Sequence, residues 1–256
     1  MCRLLGFIAR EVVGPGALLD DALTAFIDLS HRHNDGWGLA WYDETGRVRV
    51  EKNPEPAYAS VRFARISSMV RTDALMAHLR KATPGLGVCQ ENTHPFSHGE
   101  IAFAHNGSIE PVDELEALIA PDIRREIQGT TDSERYFLAL LTILKSSPPV
   151  EAFRIIFSIV RERLHYSSLN CLLLTPQALY AVCCYDPDDA NVQKRLKGDP
   201  TYADIYYRVA ADAVVVGSSG WQRGRGWEVL GNGQMLVIER GTLRTQMVDV
   251  ANAAIT

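Results

Sequence analysis

The order in which strand-like and helix-like segments follow one another is the feature that most constrains the fold. Short or alternating apolar runs predict strands early in the chain, helical spacing predicts two longer helices over 133–145 and 150–164, and strands dominate again from residue 170. The predicted strands cover 2–9, a hairpin over 37–50, 74–80, 101–105, 171–174, 179–185, 208–216, 227–230 and 235–239. Strands, then helices, then strands predict an α+β fold with a mainly antiparallel core.

Shorter helices are predicted over 18–27, 58–69 and 113–119. The second of these is predicted to be amphipathic from the spacing of Tyr58, Val61, Arg65 and Met69. The long helix after residue 130 has a capping-box start, in which the Thr131 hydroxyl accepts from the Glu134 amide while the Glu134 side chain reaches back. Residues 186–202 are polar and predict a surface loop, and we expect one domain over residues 2–256.

Composition excludes several classes of function. The chain of 256 residues carries a net charge of −5 and has no basic run, so neither nucleic acid nor a membrane surface is an expected partner. The longest strongly apolar stretch, 136–144, is too short to cross a bilayer, and we expect a soluble, cytoplasmic protein. Five cysteines without a Cys-x-x-Cys pair predict no disulfide framework. Because His31, His33 and Asp35 do not share a helix face, we expect neither a metal nor another cofactor.

Cys2 is the strongest candidate for a reactive group. It follows only Met1, which aminopeptidases remove before small residues, and removal would leave a thiol and a free α-amine on the same residue. The amine has a reference pKa of about 7.7–8.0, so at neutral pH a sizeable fraction can accept the thiol proton. The alternative is an ordinary buried cysteine at the start of a strand.

Other polar candidates fall at predicted strand ends and at a helix start. Arg80 ends a strand and could hold a carboxylate through two charge-assisted hydrogen bonds, or could be a surface arginine. Asn106 and the Gly107 amide could donate to a developing oxyanion, or could form a hairpin turn. Asp132 lies in the first turn of a capped helix, where favourable interaction with the helix dipole alone could explain it. His94 is predicted to be structural.

Taken together, these segments resemble the class II glutamine amidotransferases, the glutaminase members of the N-terminal-nucleophile hydrolases. The order and spacing of the motifs carry the resemblance over roughly residues 2–140. The segments are Met1-Cys2, Asp35-Gly36-Trp37-Gly38, His78-Leu79-Arg80-Lys81-Ala82-Thr83, Asn92-Thr93-His94-Pro95, His105-Asn106-Gly107-Ser108-Ile109 and Thr131-Asp132-Ser133-Glu134.

The resemblance implies a four-layer αββα sandwich and a set of roles. It implies that Cys2 is the nucleophile with its α-amine as base, and that Asn106 and Gly107 form the oxyanion hole. It also implies that Arg80, with help from Thr83, holds the α-carboxylate of a glutamyl group and that Asp132 holds its α-ammonium. In many synthase-linked members an aromatic residue follows the arginine, whereas Lys81 does so here.

The function implied is hydrolysis of a γ-glutamyl amide, either glutamine or a conjugate. No synthase domain follows in this sequence, which favours a stand-alone amidohydrolase similar to those of thiol and ergothioneine metabolism. Two alternatives stay open: a glutaminase subunit that delivers ammonia to a separate synthase partner, and a catalytically silent glutamyl-binding module, which retention of Met1 would favour. Selectivity for the leaving group is expected to lie in loop 186–202 and in the region after Gly217.

Overall fold

The buried apolar residues form three clusters, and these clusters define how the elements stack. A computed structural model describes residues 2–250 of the chain. Its strands are β1 Arg3–Val13, β2 Trp37–Tyr42, β3 Val48–Asn53, β4 Thr72–Leu79, β5 Phe96–His98, β6 Ile101–Asn106, β7 Ile109–Glu110, β8 His165–Tyr166, β9 Asn170–Leu174, β10 Ala178–Cys183, β11 Ile205–Val209, β12 Ala213–Ser218, β13 Glu228–Leu230, β14 Gln234–Glu239 and β15 Thr245–Asp249. Its helices are α1 Pro15–Leu19, α2 Asp21–Asp28, α3 Val61–Met69, α4 Val112–Ala117, α5 Asp132–Leu144, α6 Pro149–Arg163 and α7 Ala190–Gly198.

Two antiparallel sheets form the centre of the molecule. One has the strand order β13-β11-β12-β1-β4-β2-β3, and the other has the order β15-β14-β10-β9-β6-β5. The alternation along β1 shows why the sheets stack: Leu4 and Ile8 face the cluster between the sheets, whereas Leu5 and Phe7 face the other way. Every one of these four side chains is buried, so each face of the strand contributes to a core.

Helices cover the outer face of each sheet. On the first sheet, Leu5 and Phe7 share a cluster with Phe26 of α2 and Phe63 of α3. On the second sheet, the outward residues share a cluster with α5 and α6, whose members include Tyr136, Phe137, Phe153 and Phe157. Three cores separate four layers, and this arrangement confirms the predicted αββα sandwich.

The strand pairing brings the beginning of the chain beside the end of β4. Arg3 lies opposite Leu79 and Leu4 lies opposite His78, so Cys2 is carried to the point where Arg80 leaves the sheet. The two sheets also come into contact at this end of the molecule. There Nε2 of His78 lies 3.2 Å from the carbonyl oxygen of His105, near the end of β6.

Several sequence predictions of local structure need correction. The helix predicted over 18–27 is two helices separated at Asp20, which has a φ of 44°. The helix predicted over 58–69 begins only at Val61, as α3, and its buried residue is Phe63. Tyr58, Val61 and Met69 are exposed. The strand predicted over 208–216 is a hairpin of β11 and β12, and the polar loop 186–202 contains α7.

The long helices are predicted more accurately. Phe153, Ile156, Phe157 and Val160 of α6 are fully buried, as their spacing indicates. Within residues 2–250, no helix combines the length and apolar character needed to cross a membrane.

Candidate active site

Cys2 lies immediately before β1, with its sulfur against the turn that follows β4. The backbone N–H of Lys81 donates to the Cys2 Sγ at 3.3 Å. Unlike the buried Cys171, Cys183 and Cys184, Cys2 is only partly buried, so the reading of an ordinary core cysteine is wrong. Burial still raises the pKa of its thiol, while the Lys81 N–H and the charges of Arg80 and Arg3 act in the opposite direction. The thiol therefore needs a base to become a nucleophile at neutral pH.

Arg80 is held tightly and is not a surface residue. Its side chain and backbone together are 2 % exposed. Its backbone N–H donates to the Gly36 carbonyl at 2.8 Å, and its carbonyl accepts from the Asp35 N–H at 3.1 Å. One guanidinium nitrogen, Nη2, donates to the Gly87 carbonyl at 3.0 Å, whereas Nη1 is buried with no hydrogen-bond partner within residues 2–250. A buried cationic donor without a partner is costly, and an anion beside it would relieve that cost.

The Asn106-Gly107 pair does not form a hairpin turn. β6 pairs with β5 and β9, whereas the next strand, β7, pairs with β8. Gly107 is required for a steric reason, because a Cβ atom there would lie 1.8 Å from the carbonyl oxygen of Ser168. The Oδ1 atom of Asn106 is buried without a partner in the described part of the chain. The strand end thus presents a side-chain amide whose oxygen has no partner, next to a backbone that only glycine permits.

Asp132 is the first residue of α5, and Thr131 caps the helix by accepting from the Glu134 N–H at 3.2 Å. The Glu134 side chain does not complete the predicted capping box, because its carboxylate accepts from the Gln128 and Gly129 backbone instead. Oδ2 of Asp132 accepts from the Ile109 N–H at 2.8 Å. Burial raises the pKa of Asp132, and the nearby His105 opposes that shift.

The predicted residues form two groups that meet at one end of the sandwich. Cys2 precedes β1 and Arg80 follows β4, and both of these strands are in the first sheet. Asn106, Gly107 and Asp132 surround the end of β6. The contact between His78 and the His105 carbonyl joins the two groups. Thr83 differs from the rest, because it is exposed in the turn after Arg80, where its carbonyl accepts from the Leu86 N–H at 3.0 Å.

Three residues that support this geometry were not predicted as site residues. His105 lies 2.9 Å from the Ser133 hydroxyl through Nδ1 and 2.8 Å from the Ser168 carbonyl through Nε2, which ties β6 to α5 and β9. His78 bridges the sheets, and Asp35 accepts from the Ala82 N–H at 2.9 Å to fix the turn beside Cys2. All three lie inside the motif segments that carry the family resemblance, and this position could have identified them from the sequence.

The histidines near residue 33 do not converge on a metal site. The His31 ring stacks on Tyr58 with centroids 3.9 Å apart, and Asp35 forms an ion pair with Lys81 at 3.2 Å. Across residues 2–250 there is no group of three His, Cys, Asp or Glu side chains placed to hold a metal ion.

The sequence of this chain matches a known protein family and several known proteins. Residues 1–254 match the family model described as glutamine amidotransferases class-II. An uncharacterized protein of Methanocaldococcus jannaschii is 31% identical over 267 residues, which cover 95% of this chain and 70% of that protein. A γ-glutamyl-hercynylcysteine sulfoxide hydrolase of Mycobacterium tuberculosis is 28% identical over 119 residues, covering 43% of this chain and 50% of the hydrolase.

The fold has a counterpart among solved structures. A glutamine aminotransferase class-II domain protein from Silicibacter pomeroyi superposes with a TM-score of 0.67 at 21% identity, covering 97% of this chain and 99% of that one. At this identity the likeness establishes the four-layer fold alone. The family match covers nearly the whole chain and includes every motif around Cys2. The protein therefore belongs to the class II glutamine amidotransferases, a family of amide-hydrolysing enzymes.

Proposed function

We propose that this enzyme cleaves a γ-glutamyl amide through a thioester on Cys2, releasing glutamate and an amine or ammonia. The observation that carries the proposal is the position of the Cys2 sulfur, which lies 3.3 Å from the backbone nitrogen of Lys81. Lys81 directly follows Arg80, whose buried guanidinium has one nitrogen without a partner in the described residues. A nucleophile and a carboxylate-binding group at this spacing suit a short acidic substrate.

The first step begins once Met1 has been removed. The free α-amine of Cys2 accepts the thiol proton, and the sulfur attacks the γ-carbonyl carbon. The oxyanion that forms accepts hydrogen bonds from the Asn106 side-chain amide and the Gly107 N–H. The tetrahedral intermediate collapses, the carbon–nitrogen bond breaks, and the protonated α-amine gives its proton to the leaving amine.

The second step hydrolyses the γ-glutamyl thioester. Water attacks the same carbonyl carbon, the α-amine takes the proton of the water, and the oxyanion again forms beside Asn106. Collapse expels the Cys2 sulfur, which recovers a proton, and glutamate leaves. The two steps together consume one water and leave the enzyme unchanged.

Substrate orientation depends on opposite charges at the two sides of the glutamyl group. Arg80, with Thr83, binds the α-carboxylate, and Asp132 binds the α-ammonium. The Ile109 N–H and Thr131 fix the position of Asp132 before substrate arrives, so little ordering is needed on binding. The relative from M. tuberculosis is named for hydrolysis of a γ-glutamyl compound, which supports this assignment.

The decisive experiment begins with intact-mass measurement to establish that Met1 is absent. The processed protein is then incubated with glutamine and with a panel of γ-glutamyl amides, and free glutamate is measured. We expect release from at least one of them, and a covalent adduct on Cys2 with a glutamine-mimicking electrophile such as 6-diazo-5-oxo-norleucine. No release from any substrate by the processed protein would contradict the proposal.

The same assay separates the two alternatives. A glutaminase subunit would show weak activity alone and stimulation by a synthase that co-purifies with it. A silent binding module would retain Met1, bind glutamate and release nothing.

A further inference from the structure

A cavity of about 510 Å³ lies beside the predicted nucleophile. Arg3, the residue after Cys2, and Lys81, whose backbone N–H contacts the Cys2 sulfur, both line it. The other walls come from the segment after α2, which includes Arg32 and His33, from α7 with the turn after it, and from the segment after β12. The last two are the regions in which selectivity was expected. We call this the basic cavity.

The lining of the basic cavity has a strong excess of positive charge. Its cationic side chains are Arg3, Arg32, Lys81, Arg195 and Arg223, and its carboxylate is Asp199. Lys81 is partly neutralised by its ion pair with Asp35 at 3.2 Å. Even without Lys81, four guanidinium groups face one carboxylate in a concave, partly dry space, where the field of each charge is stronger than on an open surface.

Arg3 is removed from bulk water, and Arg223 is partly buried. Arg3 is 4% exposed, and its Nε is buried without a partner in the described chain. Burial lowers the pKa of Arg3, and it lowers the pKa of Arg223 to about 10, against the charges of Asp204 and Asp199. The Arg223 guanidinium stacks on Tyr206 at 3.6 Å and on Trp221 at 4.7 Å, and these aromatic contacts hold the cation in position.

His33 lies in the wall of the basic cavity. It is 7% exposed, and its Nδ1 has no partner within the described residues. Burial, the largest cause, together with the charges of Arg3, Lys81 and Arg32 lowers its pKa to about 3. The imidazole is therefore uncharged at neutral pH, and the positive charge of the basic cavity comes from its arginines and Lys81.

We propose that the amine released from the γ-glutamyl group is itself anionic, an amino acid or peptide carboxylate, and that the basic cavity binds it. This inference rests on the function proposed above and adds the class of leaving group. Ammonia, the leaving group of glutamine, would make no use of four arginines beside the nucleophile. In an α-amino acid the carboxylate carbon is two bonds from the scissile nitrogen, so it would lie near Arg3, the residue next to Cys2. Trp221 offers an apolar surface for a side chain.

A pair of substrates that differ in one carboxylate tests this directly. γ-Glutamyl-glycine and γ-glutamyl-methylamide have the same scissile bond, and only the first has an anionic leaving group. We expect kcat/KM to favour γ-glutamyl-glycine by roughly tenfold or more, and we expect the preference to shrink in about 0.5 M salt because charges are then screened. Equal values for the two substrates would overturn the inference while leaving γ-glutamyl hydrolysis intact.

A double variant, Arg32→Gln with Arg195→Gln, tests whether the cavity causes the preference. Both side chains are exposed, so their replacement removes charge without opening a core. We expect a loss of roughly threefold to tenfold in kcat/KM for γ-glutamyl-glycine and no change for the methylamide. Arg163→Gln, an exposed arginine on α6, is the matched control and should change neither. An unchanged preference in the double variant would refute the role of the cavity.

Binding measured on the Cys2→Ala protein separates this inference from the proposed function. Tighter binding of γ-glutamyl-glycine than of the methylamide, by roughly tenfold, would support the basic cavity even if the wild-type enzyme released no glutamate. Equal binding of the two compounds by the Cys2→Ala protein would count against the basic cavity whether or not the wild-type enzyme turns over.

Discussion

The proposed glutamyl site and the basic cavity lie next to each other, yet they are built in different ways. The proposed glutamyl site comprises Cys2, Arg80, Asn106, Gly107 and Asp132, with Thr83 in the adjoining turn. These residues stand at strand ends and at one helix start, where backbone hydrogen bonds fix them. The basic cavity takes its walls mostly from connecting segments, among them the turn after α7 and the residues after β12.

This difference separates chemistry from selectivity. A site on the ends of regular elements is rigid, which suits a reaction that needs the same γ-glutamyl geometry every time. A cavity formed by loops can change its charge and shape without disturbing the sheets. We therefore expect changes in the glutamyl site to affect every substrate equally, and changes in the basic cavity to affect substrates according to their leaving group.

The largest effect is expected for Cys2→Ala, which removes the attacking sulfur. We expect kcat to fall by about 10⁴-fold or more for all γ-glutamyl substrates, with folding retained because Cys2 is partly exposed. Glutamate release and circular dichroism measure the two properties. Cys89→Ala, at another partly exposed cysteine, is the control and should retain activity. Substantial turnover by the Cys2→Ala protein would exclude a thioester mechanism.

Gly107→Ala is expected to damage both stability and catalysis. The added methyl group would overlap the Ser168 carbonyl, since the Cβ position lies 1.8 Å from that oxygen. The free energy of unfolding should fall by about 3 kcal/mol as β6 and β9 are forced apart, and activity on all substrates should be lost with it. Gly16→Ala, in α1 with nothing within 4 Å of the new Cβ, should leave both unchanged or slightly raise stability. Urea unfolding and glutamate release would distinguish the two variants.

Asp132→Asn tests whether this carboxylate binds substrate or only stabilises α5. Asparagine keeps an oxygen that can accept from the Ile109 N–H, so the fold should survive. Loss of one charged hydrogen bond to the α-ammonium should cost about 2–3 kcal/mol, or roughly 30- to 150-fold in kcat/KM, mainly through KM. The control is Asp113→Asn in the first turn of α4. If the two variants lose similar stability and neither changes KM, Asp132 has only a role at the positive end of the α5 helix dipole.

The sequence indicates the positions of the proposed glutamyl-site residues but not the basic cavity, for a physical reason. Each of those residues marks a local event, such as the end of β4, the end of β6 or the start of α5, and local events leave a local pattern. The basic cavity combines residues near positions 3, 32, 195–202 and 220–223, which come together only through pairings such as Leu5 opposite Gly217. Arginines in separate segments give no signal of convergence along the chain.

The same reasoning explains the errors in the fold. The buried faces of α5 and α6 were predicted because each helix is long enough for its spacing to be unambiguous. α3 has nine residues, and only Phe63 of these is buried, so its exposed apolar residues suggested the wrong inward face. α7 was missed because most of its residues are polar and only Val192 is buried, and a solvated helix shows little apolar period.

The smallest predicted effect concerns pH and tests whether His33 is buried and neutral in the wall of the basic cavity. The pKa of His33 is about 3 in the folded protein, compared with about 6.5 when unfolded, so the unfolded chain binds more protons between these values. Its contribution to stability is therefore complete above about pH 6.5 and is lost as pH falls toward 3. Between about pH 7.5 and about pH 5 this amounts to about 2 kcal/mol.

His33→Gln should flatten this dependence, because glutamine does not titrate. Urea unfolding at several pH values measures the slope, and the comparison of slopes is insensitive to any constant loss of stability in the variant. His78, whose pKa burial also lowers to about 3, still titrates, so a residual slope is expected. Identical slopes in the wild-type protein and the variant would show that His33 is readily protonated in the folded state. In that case neither its burial nor the charges of Arg3, Lys81 and Arg32 would keep the imidazole neutral.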